Sequence, residues 1–127
     1  MIKYKTVTSL AAILSFINGC FFILVPAFSL SILGRETNLI GITTTRYFGA
    51  GALGLAVITW LARNTPHPEV RRLVSYGMLT TLALLVVIDL VGLLTGAMNY
   101  MGWLLFITDL LLSLGFIASI FTGGGRE

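Results

Sequence analysis

The chain has 127 residues, enough for one domain, and is 57% hydrophobic with only 10% charged residues. Soluble domains carry about 25% charged residues, so an ordinary water-facing surface is excluded. The net charge of +3 comes from basic residues spread along the chain, with no basic stripe interleaved with exposed aromatics, so nucleic acid is excluded as a partner.

Lys3 and Lys5 precede an apolar stretch, as in a secretory leader, and Ile17-Asn18-Gly19-Cys20 has a faint look of a lipoprotein cleavage box. The apolar run continues through Phe21-Phe22-Ile23-Leu24-Val25, where a processed lipoprotein turns polar. The segment therefore reads as a first spanning helix, over about residues 6–25. Pro26 removes a hydrogen-bond donor and ends it. Residues 26–33 suit a short interfacial helix with proline at its first position and Gly34 past its end. Arg35, Glu36, Thr37 and Asn38 then form a polar turn.

A second apolar stretch, 39–62, is long enough to cross a bilayer. The loop Asn64-Thr65-Pro66-His67-Pro68-Glu69 is the most polar part of the chain. A third span is expected over 72–95 and a fourth over 100–121, joined by a tight turn with Gly96 as cap and Asn99 as N-cap. Short loops make successive helices antiparallel, so the expected fold is all-α: one domain over 1–127, an integral membrane four-helix up-down bundle.

Lys3, Lys5, Arg63, Arg71, Arg72 and Arg126 fall on one side of such a bundle, against Arg35 and Arg46 on the other. The excess of cations marks the cytoplasmic side, so both termini are expected there. Trp60, Trp103, Tyr4, Tyr76 and Tyr100 lie near span ends, as interfacial aromatics do. Small residues recur four apart at Ala11, Ser15 and Gly19, at Gly92 and Gly96, and at Gly115 and Ser119. Gly49 and Gly54, with Ala50, mark the same kind of face on the second span, and close helix packing is expected there.

Three charged residues fall inside spans: Arg46, Asp89 and Asp109. Each costs roughly 2.5–3.5 kcal/mol at a bilayer centre, so each needs a partner. At 1.5 Å rise per residue Asp89 stops about 9 Å short of Thr95, and Asp109 lies about 14 Å past Tyr100. Asn18 falls at a similar depth. One polar residue per helix thus sits in the outer half of the bundle. One reading is a structural clamp in which Arg46 bridges one or both aspartates, with Asn18 and Ser113 completing the hydrogen bonds. The other is a ligand or proton site, because one arginine does not balance two aspartates.

Cys20 is the sole cysteine and His67 the sole histidine. No intrachain disulfide can form, and neither a metal site nor any other cofactor is expected. Cys20 reads as a buried, inert thiol, and His67, between two prolines, as a solvated loop residue. Gly49-Ala50-Gly51-Ala52-Leu53-Gly54 matches a dinucleotide-binding pattern, but inside an apolar helix it lacks the strand that gives the pattern meaning. No serine–histidine pair exists within the apolar stretches, so the chain reads as non-catalytic.

Pro26 after the first span, Arg46-Tyr47-Phe48-Gly49-Ala50 opening the second, Trp60-Leu61-Ala62-Arg63 closing it, Asp89, and Asn99-Tyr100-Met101-Gly102-Trp103 opening the fourth form an ordered set. Their layout resembles that of small four-helix bacterial membrane proteins of the DoxX-like kind, over most of the chain. The resemblance implies a four-helix fold in a bacterial cytoplasmic (inner) membrane and carries over no catalytic residues. The expected role is helix association in the bilayer, as a homo-oligomer or an accessory subunit of a membrane complex. The alternatives are a binder or carrier of a lipophilic small molecule, a lipid or quinone, in the polar outer half, and a lipid-modifying enzyme.

Overall fold

The computed structural model describes residues 3–34 and 37–121, and these are all-helical. Arg35 and Glu36 of the expected polar turn, and Arg126 of the C-terminal tail, lie outside the described residues. Five helices follow in order: α1 (Tyr4–Leu24), α2 (Pro26–Ile32), α3 (Leu39–Ala62), α4 (Pro68–Leu94) and α5 (Gly102–Phe121). Three of them, α1, α4 and α5, are long and apolar enough to cross a membrane. At 24 residues α3 has the length, but Thr43, Thr44, Thr45, Arg46 and its glycines dilute its apolar content.

The helix ends have local causes. Val25 closes α1 by donating to the Phe21 carbonyl at 3.0 Å. Pro26 begins α2 at once, as proline's fixed φ and missing N–H favour. The Ser29 hydroxyl reaches back to the Phe21 and Val25 carbonyls at 3.0 and 2.9 Å, adding a second donor to acceptors that already hold the Val25 and Ser29 N–H groups. Gly34 follows α2 with φ 95°, the left-handed turn that glycine adopts freely. Asn38 caps α3, accepting from the Gly41 N–H at 2.9 Å.

The short helix is tied to the distant α4–α5 turn. The Asn99 N–H donates to the Leu33 carbonyl at 2.9 Å, and its side-chain amide donates to Ile32 at 3.2 Å. Gly34 lies against the same asparagine, where a Cβ would come within 2.8 Å of Nδ2. These contacts hold α2 across one end of the molecule.

Two antiparallel pairs make up the rest. The first joins α1 to α3, and the second joins α4 to α5. The Tyr4 hydroxyl donates to the Ala62 carbonyl at 3.0 Å, which sets the start of α1 against the end of α3. Gly19 and Gly49 bring the same two backbones close: a Cβ on Gly49 would lie 3.0 Å from the Gly19 carbonyl oxygen. The pairs meet chiefly through α1 and α5, while α3 and α4, though consecutive, touch little. Successive long helices thus touch, but unequally, with the α3–α4 seam looser than the α1–α3 and α4–α5 pairs.

The core lies toward the end that carries Tyr4. Val7 and Ala11 of α1 pack there with Met78 and Leu82 of α4 and Leu112 and Phe116 of α5. Elsewhere the exterior is apolar, with Leu61 and Leu73 each 75% exposed. That is the reverse of a water-soluble surface.

Candidate functional site

Because α3 and α4 stand apart, a cavity of about 290 Å³ opens between the two pairs, lined by all four long helices. Each helix turns one regularly spaced face to it. Asn18 and Phe22 come from α1, Phe48 and Ala52 from α3, Leu85 and Asp89 from α4, and Leu105 and Asp109 from α5. Phe22 and Phe48 meet edge to face, with ring centroids 5.3 Å apart, and form one wall.

The structure brings Asp89 and Asp109 onto the same cavity. Asp89 is only 6% exposed. Its Oδ2 is buried and has no hydrogen-bond partner. A polar oxygen left so costs about 1–3 kcal/mol, which a purely structural residue would have no reason to retain. Asp109 and Asn18 are half-buried on the same cavity. Thr81 and Thr108 also line it, but their hydroxyls donate to the Gly77 and Leu104 carbonyls of their own helices, at 3.0 and 2.7 Å.

Arg46 is not part of this arrangement. Its side chain is exposed, and Nε donates to the Ile23 carbonyl at 3.3 Å. The physical reason is the break at Pro26. The last carbonyls of α1 are short of helical partners, and a cation beside a helix C-terminus is favoured. The expected bridge from Arg46 to the aspartates is therefore replaced by a bond to α1's end. Ser113 is buried, and its hydroxyl donates to the Asp109 backbone carbonyl at 2.8 Å rather than to the carboxyl.

The glycines divide in the same way. Gly49 sits at the α1–α3 contact, and Gly92 lies under Met98, whose Cε a Cβ would approach to 2.8 Å. Gly54 and Gly96 face open space. Gly96 serves the turn through its φ of 76°, and Gly54 lies exposed on the outer side of α3.

One grouping escaped the reading of the sequence. At the opposite end Arg71 is buried, donates through Nε to the Thr65 carbonyl at 2.8 Å, and lies 5.1 Å from the centre of the Tyr4 ring. It locks the α3–α4 loop onto the start of α1, a cation–π and hydrogen-bond anchor rather than a solvated charge. His67 is exposed at the cap of α4, and Cys20 is half-buried and free.

The chain matches no protein-family model, no curated protein and no solved structure.

Proposed function

We propose that this protein crosses the membrane four times, with both tails on the cytoplasmic side, and binds a lipophilic small molecule in the cavity between its helix pairs. The observation that carries the binding reading is the buried, unpartnered Asp89 oxygen beside a cavity of about 290 Å³. Small-molecule sites begin near 300 Å³ and combine apolar walls with a few convergent polar groups. The polar groups here are Asp89, Asp109 and Asn18. A second opening, about 240 Å³, lies beneath α2 and shares Asn18, Phe22 and Leu105 with the cavity. It supports lateral entry from the outer half of the bilayer.

The remaining span, second in chain order, is α3. Its 24 residues reach about 36 Å at 1.5 Å each, against a hydrocarbon core of about 30 Å. Arg46, near its outer end, is exposed and donates through Nε to the Ile23 carbonyl at the end of α1. The cation excess around Lys3, Lys5, Arg63, Arg71 and Arg72 supports a cytoplasmic assignment for the end carrying Tyr4. In a Cys20→Ser background, His67→Cys is expected to react with an impermeant maleimide only from the cytoplasmic face, and Asn38→Cys only from the other. The reverse pattern would invert the topology.

Native mass spectrometry of gently solubilised protein tests the binding. Wild type is expected to carry a co-purifying lipophile, and Leu85→Trp, which fills the cavity one turn from Asp89, to lose it. Bare protein in both samples would refute the reading. The same spectrum addresses a second reading, association as a homo-oligomer or accessory subunit. That reading is favoured by an open apolar groove of about 400 Å³ between α1 and α3, lined by Ile13, Phe16, Val57 and Trp60. A clean monomer without a co-purifying subunit would end it.

A further inference from the structure

The charge inside the cavity is unbalanced, and the imbalance has one sign. By helix, the groups facing the aspartates are Ser15 and Asn18 from α1, Thr81 beside Asp89 from α4, and Thr108 beside Asp109 from α5. From α3 come Phe48, Gly51, Ala52 and Leu55, none of them titratable. No cationic side chain lines the cavity among the described residues. Arg46 of α3 is held at the Ile23 carbonyl. Arg71, the buried cation of α4, lies 18 residues before Asp89, about 27 Å away along the helix at 1.5 Å per residue, and is engaged with Thr65 and Tyr4.

Two carboxyls line this cavity, and the Oδ2 of Asp89 is buried without a hydrogen-bond partner. Negative charge on the pair is unmatched by any cation among the residues that line it. Charge buried in such surroundings calls for an opposite charge at close range. The Phe22–Phe48 wall adds aromatic faces, which also attract cations.

We infer that the cavity takes a lipophilic monocation, an ammonium group on an apolar body, with its positive head between Asp89 and Asp109 and its body against Phe22, Phe48, Leu82 and Leu105. This rests on the ligand-binding reading above and names the ligand's chemical class.

The test uses three probes with one tail: decylamine, decanol and decanoate, titrated calorimetrically into the full-length protein in detergent micelles. At pH 8 decylamine is a cation and decanoate an anion. Decylamine is expected to bind wild type at least about tenfold more tightly than decanol, and decanoate is expected not to bind. Asp89→Asn and Asp109→Asn are expected to abolish the preference for decylamine over decanol, with monodisperse elution and a cooperative thermal transition showing that each variant is folded. Decanol binding wild type as well as decylamine would overturn the cation assignment and leave the lipophile site standing. So would an unchanged amine preference in both asparagine variants. Failure of all three probes to bind wild type would overturn the site itself.

Discussion

Gly49→Val is expected to destabilise the protein by about 1–3 kcal/mol or more, while Gly54→Val, five residues along the same helix, leaves stability within about 0.5 kcal/mol. A Cβ at position 49 would lie 2.8 Å from Ile23 Cγ1, 3.0 Å from the Gly19 carbonyl oxygen and 3.2 Å from the Ile23 backbone nitrogen. Two of those atoms are backbone and cannot move aside as a flexible side chain does. The α1–α3 pair, the most extensive helix contact in the molecule, would have to open. At Gly54 nothing lies within 4 Å of the added atom. Thermal unfolding of the two variants in the same detergent, followed by loss of the monodisperse elution peak, gives the comparison. Equal losses would mean that α1 and α3 do not approach at Gly49.

Asp89→Leu is expected to have a large effect of opposite sign: a gain in stability of about 1–2 kcal/mol, together with loss of any ligand held at the carboxyl pair. The gain follows from the buried Oδ2, which has no partner. Removing an unsatisfied buried oxygen recovers the desolvation it cost. Leucine also turns its apolar branch toward Leu85 and Leu105, which line the same cavity. A clamp would respond the other way. Deleting one partner of a fully paired buried network costs about 3–5 kcal/mol. The sign of the change therefore separates a residue kept for binding from one kept for packing.

Depth along each helix was legible in the sequence, and rotation about it was not. Spacing and rise placed Asp89, Asp109 and Asn18 at one level, and they line one cavity. Arg46 stands near that level too, but its side chain serves the end of α1. In helices apolar on every side, no hydrophobic stripe marks which face turns inward. On α4 and α5 that signal is carried by a few polar residues, Ser75, Thr81 and Asp89 on the first and Thr108, Asp109, Ser113 and Ser119 on the second. The pairing of α1 with α3 rests on a contact between Gly19 and Gly49, and sequence alone shows the small residues without their partner.

Boundaries follow the same logic. Helix α3 begins where Asn38 can cap it, and its bounds match the apolar stretch. Helix α4 starts four residues before Arg72, at Pro68, because proline opens a helix readily and Pro-Glu-Val-Arg extends it beyond the apolar run. Helix α5 starts at Gly102, since Asn99 Oδ1 holds the Met101 N–H at 3.0 Å in a turn. Polar extensions and turns of this kind carry little hydropathy signal, so they move the ends and leave the helices in place.

The measurement that bears most directly on the carboxyl cavity as a binding site is the thermal unfolding midpoint of Asp89→Leu beside wild type, both freed of ligand by exhaustive detergent exchange. A higher midpoint for the leucine variant is the result this account predicts. A midpoint well below wild type would contradict it and return Asp89 to the role of a structural clamp.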